Sequence, residues 1–357
     1  MPTYRVESVQ GSYPVVVDRG ILARTVDSLP RKAGKLFVVS TKDVWRHKGT
    51  ELEHALEGIP HDILFLPGGE EQKRLRPVEE LAERMIELGG DRTSVVIAFG
   101  GGIVSDMGGF LAAIFMRGIP VLQLPTTLLA QVDAAIGGKT GVNLVSGKNL
   151  VGSFHPPCAV LIDPSVLDSL PEREYRAGLY EIVKAGIIRD AELFACLRES
   201  QAAVLEREPE AVDRIIADAV RIKVQVVSAD EREGDLRRIL NFGHTFGHAL
   251  EAETRYTRFL HGEAVAWGMR AAIHLGEMAG YCSAEDSLEM LELIGSYGPI
   301  PPLEGILPEN LVGRLLHDKK TVQGKIHFVL PVRIGEVTVA SDLDPASVRE
   351  AIRSALV

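Results

Sequence analysis

Cysteine is scarce in this sequence, and what there is lies scattered. Cys158, Cys196 and Cys282 are the only three in 357 residues. None forms a CxxC pair, so neither a disulfide framework nor a thiolate metal site is indicated. No apolar run approaches membrane-spanning length. The opening stretch MPTYRVESVQ lacks the apolar core and cleavage site of a secretory signal. An excess of positive charge is missing too. Acidic residues outnumber basic ones by 49 to 39, a formal charge of −10, which argues against nonspecific nucleic-acid binding. Repeats and low-complexity tails are absent. These absences predict a soluble, cytoplasmic protein with no nucleic-acid or membrane partner. They leave room for a small anionic ligand, because local cations decide that.

What is present suits a folded, soluble protein. The chain is 46% hydrophobic and 25% charged, ordinary for a globular protein, and its length calls for two domains. The first half alternates β-rich runs with helical patterns. The runs are KLFVVS (Lys35 to Ser40), DILFLP (Asp62 to Pro67), SVVIAFGGG (Ser94 to Gly102) and VLQLPTT (Val121 to Thr127). Between them, PVEELAERMIEL repeats Leu81, Met85 and Leu88 at helical spacing. Alternation of this kind predicts an α/β domain with a mostly parallel, Rossmann-like sheet. Its ligand crevice should lie beyond the carboxyl ends of the strands. After LIDPSVLDSLPERE the texture turns helical, as in Ala211 to Glu231. The expected domains are 1–170, α/β, and 171–357, mainly helical. A late run, KIHFVLPV, is expected to pair with EVTVA as strands.

The glycine-rich turn IAFGGGIVSDMGGF ends a buried strand and opens a helix. Missing side chains let backbone N–H groups approach a phosphate, and the helix N-terminus adds positive potential. A tight turn with close helix packing explains the same glycines. The usual dinucleotide fingerprint wants glycine where Ser105 stands, so the match is partial. Thr126 and Thr127 follow the next strand and can cap a helix or bond a phosphate. GGKTG offers Lys139 on a flexible loop, without P-loop spacing. Lys148 and Asn149 follow in SGKNLVGSF. Each lysine alone reads as solvated. Together they suggest an anion pocket in an otherwise acidic chain.

The helical half carries NFGHTFGHALE, in which His244 and His248 share a helical face. YEIVKAGII adds Glu181 and Lys184, and FLHGEAVAWGM adds His261 and Glu263. A catalytic zinc takes three protein ligands and keeps one open position. Two histidines and a carboxylate make a common set. A lone helical histidine is more often structural, but the glycines of GHTFGH are expected to leave room around both rings. This is not HExxH, because Thr245 follows His244.

In order, GGEEQK, GGGIVSD, MRG, LPTTLLAQVDAAIGGKTGVN, GKNLVGSFHPP, YEIVKAG, LNFGHTFGHALE, LHGEAVAWGM and HDKK resemble the 3-dehydroquinate synthase family from about Leu66 to Leu330. The long central block is highly specific. Two departures stand out: Ser105 replaces a common glycine, and DAAIGG a more usual serine-containing form. The resemblance implies a dehydroquinate synthase-like fold, an NAD cofactor, a divalent zinc or cobalt ion and a homodimer. It implies that 3-deoxy-D-arabino-heptulosonate 7-phosphate becomes 3-dehydroquinate and phosphate, the second shikimate step. The chemistry is alcohol oxidation, phosphate elimination, reduction, ring opening and aldol closure. The ligands implied are Glu181, His244 and His261. NAD contacts implied are Gly68, Gly69, Glu70, Glu71, Gln72 and Lys73; Gly102, Ile103, Val104, Ser105 and Asp106; Thr126, Thr127, Lys139 and Lys148; and, on a looser match, Val166, Leu167, Asp168 and Ser169. Substrate or catalytic residues implied are Arg117, Asp133, Lys139, Asn149, Lys184, Lys223, Arg237, Asn241, His248 and Lys319 or Lys320.

Four other readings compete. A metal-dependent polyol dehydrogenase would need no phosphate or carboxylate clamp and would release NADH. Sister sugar phosphate cyclases take substrates without a carboxylate, so Arg237 and the HDKK lysine would be less needed. A metal hydrolase would ignore NAD. A non-catalytic phosphosugar-binding protein would not explain a metal triad.

Overall fold

A computed structural model describes residues 2–317 and 326–356. The strands are β1 (Thr3–Ser8), β2 (Gly11–Val17), β3 (Leu36–Ser40), β4 (His61–Phe65), β5 (Val95–Gly100), β6 (Val121–Pro125), β7 (Lys139–Leu144), β8 (Gly147–Phe154), β9 (Ala159–Ile162), β10 (Phe328–Arg333) and β11 (Glu336–Ala340). The α-helices are α1 (Lys42–Ala55), α2 (Leu75–Glu87), α3 (Gly102–Ile114), α4 (Glu172–Arg189), α5 (Ala191–Glu199), α6 (Gln201–Leu205), α7 (Pro209–Ala229), α8 (His244–Glu253), α9 (His261–Met278), α10 (Ala284–Ser296), α11 (Pro308–His317) and α12 (Pro345–Leu356). Contacts divide the chain into two compact units. One joins Met1–Pro171 with Lys223–Glu231, and the other joins Glu172–Ile222 with Arg232–Val357.

The first unit is built on a seven-stranded sheet of order β1-β2-β9-β6-β5-β3-β4. Every pairing is parallel except β1 with β2 at the edge. β3, β5 and β6 are buried along their whole length, so their side chains feed both faces. Phe37, Val39, Val96 and Ala98 join one core with Met107 and Leu111 of α3. Leu36, Val38, Ile97 and Phe99 join the other with Leu52 of α1. Burial on both faces explains why these strands read as continuous apolar runs. β3 leads to β4 on one side, and β5 returns on the other side of β3. The order therefore reverses between β3 and β5, where ligands bind in such sheets. The glycine turn sits at the end of β5.

Five strands went unforeseen in the sequence: β1, β2, β7, β8 and β9. Lys139, expected on a flexible loop, is the first residue of β7, which pairs with β8 as an antiparallel hairpin. β10 and β11 pair as expected. In the second unit the helices pack around α9, whose Trp267 is fully buried and donates from Nε1 to the Ala355 carbonyl at 3.0 Å. No helix among the described residues is long and apolar enough to cross a membrane.

Candidate functional site

In the first unit the turn after β5 is fixed by crowding. A Cβ on Gly100 would lie 2.5 Å from Val104, and one on Gly101 2.9 Å from Thr127. Gly101 caps α3, and no acidic residue occupies the first turn, so the helix end stays positive. Val104 and Ser105 are buried; the Ser105 amide donates to the Gly101 carbonyl at 3.0 Å, and its Oγ is buried with no hydrogen-bond partner. Thr127 Oγ1 accepts from the Ala130 amide at 3.2 Å. Thr126 Oγ1 is buried with no hydrogen-bond partner, a deficit that a ligand hydroxyl or phosphate would relieve.

Beside that turn, three sequence-distant segments meet. Lys73 is 4% exposed. It donates to Asp106 Oδ2 at 2.5 Å and to Asn149 Oδ1 at 2.6 Å. Asn143 donates to Glu70 at 2.7 Å and accepts from the Asn149 amide at 2.8 Å. Lys148 lies 3.7 Å from Glu70. Glu70, Lys73, Asp106, Lys148 and Asn149 thus form one polar network. Asp133 and Lys223 form a second ion pair in this unit. Gly68, Gly69, Glu71, Gln72, Arg117 and Lys139 are exposed, and Gly102 and Ile103 are half-buried. Val166 and Leu167 face the interior, leaving Asp168 and Ser169 exposed.

Burial, its largest cause, raises the Asp106 carboxyl above the usual range, with the Lys73 ammonium opposing it. Lys73→Met is expected to cost about 2 kcal/mol at neutral pH. That is less than for a fully buried pair, because Asp106 keeps 20% side-chain exposure. A carboxyl whose pKa is raised on folding favours the folded state when protonated, and that advantage is lost as pH rises through the folded value. Removing Lys73 raises it further. The deficit should therefore shrink as pH falls toward about 4. Denaturant unfolding across that range checks it, and a pH-independent deficit would refute it.

In the second unit Glu181 and Lys184 lie on α4, both nearly buried and paired with each other. His244 opens α8 and His261 opens α9. One donor atom from each of Glu181, His244 and His261 falls within a 4.8 Å cluster. Glu181 Oε1 lies 3.9 Å from His244 Nε2 and is buried with no hydrogen-bond partner. Such an oxygen calls for a cation. His244 Nδ1 lies 3.2 Å from the Phe242 carbonyl, which leaves Nε2 for a metal. A buried carboxylate and two imidazoles fit zinc or cobalt. A second cluster, His248, Glu251 and His261, shares one histidine with the first.

The glycines around these histidines do not open space for the rings, as the sequence suggested. They let two helix backbones touch. A Cβ on Gly268 of α9 would lie 1.9 Å from the Gly243 carbonyl, and one on Gly247 of α8 2.9 Å from the Ala264 carbonyl. Gly243 itself takes φ 78°, left-handed backbone that favours glycine. A Cβ on Gly262 would meet the Ala177 carbonyl of α4 at 1.9 Å. Close approach of α4, α8 and α9 is what gathers the three ligands. His248 stands one turn beyond His244, with ring centroids 5.4 Å apart. Arg237 is buried, and Asn241 donates to Glu233 at 2.5 Å. Glu233 was not foreseen, although it sits in the charged stretch DEREGDLRR and holds φ 62°. Lys319 and Lys320 lie outside the described residues.

The domain family described as 3-dehydroquinate synthase N-terminal matches residues 63–177, and its C-terminal counterpart matches 178–321. A curated 3-dehydroquinate synthase of Solibacter usitatus is 72% identical over 100% of both chains. A solved 2-epi-5-epi-valiolone synthase from Streptomyces hygroscopicus, with NAD+ and Zn2+ bound, is 31% identical at TM-score 0.89 over 99% of both. A 2-deoxy-scyllo-inosose synthase with carbaglucose-6-phosphate, NAD+ and Co2+ is 27% identical at TM-score 0.90, again over 99% of both.

Proposed function

The chain belongs to the 3-dehydroquinate synthase family, and we propose that its two units divide the labour of that enzyme. The enzyme converts 3-deoxy-D-arabino-heptulosonate 7-phosphate into 3-dehydroquinate and phosphate. In this reading the first unit takes NAD at the β3–β5 switch point, with the glycine turn, Thr126 and the Lys73 network as its contacts. The second unit holds a divalent cation on Glu181, His244 and His261. That triad, with its orphaned Glu181 oxygen, carries the proposal. A cytoplasmic homodimer is the setting the resemblance suggests.

When bound, the cation would polarise the alcohol oxygen, and NAD would accept hydride and later return it. The chain's own residues do the rest. Arg117, Lys139, Lys184, Lys223 and Arg237 supply fixed cations for a substrate with both phosphate and carboxylate. Arginine can hold a carboxylate through two parallel hydrogen bonds. Asn149 and Asn241 orient hydroxyls, and Asp133 sets the Lys223 ammonium. Glu251, which clusters with His248, lies within reach of His261, and Glu181 belongs to the triad. We therefore assign the elimination proton to the substrate's own phosphate, with His248 bonded to it. Ring closure then needs orientation more than a strong catalyst.

The heptulosonate phosphate supplied with NAD and Zn2+ should release phosphate and form dehydroquinate one for one, with no net NADH. Accumulating NADH would point to a dehydrogenase, and absence of turnover would sink the assignment.

A further inference from the structure

We propose that Glu251 is the positioning residue for the metal ligand His261. This rests on the triad reading above. Glu251 lies on α8, seven residues beyond His244 and three beyond His248, so all three share one helical stripe. Its side chain is 2% exposed, and its Oε1 lies 3.3 Å from His261 Nδ1. A buried carboxylate at that nitrogen holds the ring proton there. The other nitrogen, Nε2, keeps its lone pair for the cation, and the ring plane is set. Metal-bound histidines recurrently use their second nitrogen in this way.

The backbone under His261 is held independently. Glu263 accepts from the Leu260 amide at 2.8 Å, just before α9 begins, and from Arg173 of α4 at 2.7 and 2.8 Å. Two buried carboxylates therefore act on one ligand: Glu263 places its Cα, and Glu251 turns its ring. This division also resolves the overlap of the two candidate clusters. His261 Nδ1 faces Glu251 and cannot serve a second cation while it carries a proton. Glu251 orients a ligand and is not one.

The test is metal titration of the apoprotein. Zn2+ is added against a chromophoric chelator, and the visible spectrum of the Co2+ form reports ligand geometry. Wild type should bind one ion per chain. Glu251→Ala should still bind one, with affinity lowered about 10- to 100-fold and an altered Co2+ spectrum. Glu251→Gln keeps an oxygen acceptor and should recover most of the affinity. It also serves as the folded variant should alanine disturb the packing. Unchanged affinity and spectrum in both variants would overturn the assignment and leave the triad standing. Two ions per wild-type chain, falling to one in Glu251→Gln, would overturn it by making Glu251 a ligand. No binding by wild type would overturn the triad and this inference together.

Discussion

Gly268→Ala is expected to destabilise the helical unit by about 3 kcal/mol or more, and to cost it the metal site. Overpacking usually costs about 1–3 kcal/mol because side chains can shift. Here the added methyl would sit 1.9 Å from the Gly243 carbonyl and 2.7 Å from the Gly247 amide nitrogen. Both are backbone atoms, and neither can rotate away. Relief requires α8 and α9 to separate, which carries His244 away from His261. Gly313 of α11 is the control. Nothing lies within 4 Å of its would-be Cβ, so Gly313→Ala should gain about 0.5–1 kcal/mol from helix propensity alone. Thermal unfolding and zinc content of the two variants, side by side, check the contrast. Equal stability of both would refute the close-packing account.

His244→Ala and His248→Ala are both expected to lose turnover, for different reasons. Without His244 the triad drops to two donors, and activity should fall at least about 10³-fold through loss of the bound cation's electrostatic help. Without His248 a proton relay or phosphate contact is lost, a deficit of about 10²–10⁴-fold. Excess Zn2+ should partly restore His244→Ala and leave His248→Ala unchanged. If His248→Ala stopped phosphate release while substrate still bound normally, the elimination base would be His248 and not the substrate phosphate.

The strands β3, β5 and β6 were legible because sheet burial on both faces writes itself as unbroken apolar runs. The β7–β8 hairpin was not. Its glycines, Lys139, Lys148 and Asn149 read locally as a binding loop, and long-range bonds such as Asn143 to Glu70 hold it in place. The metal triad could be drawn only through the family resemblance, since helical spacing alone pairs His244 with His248. The role of the flanking glycines was misjudged for a related reason. A glycine looks like space until the helix that fills it is known. Glu251 carried a readable signal, its place on the stripe of His244 and His248. Its burial against His261 depends on where α9 begins, and no local pattern gives that.

The central claim is that Glu181, His244 and His261 hold one divalent ion and that His248 stands outside the set. Zinc per chain, measured by elemental analysis after apoprotein reconstitution and desalting, tests it most directly. The account predicts one ion in wild type, near zero in His244→Ala, and one in His248→Ala. Equal loss of zinc from the two histidine variants would contradict it.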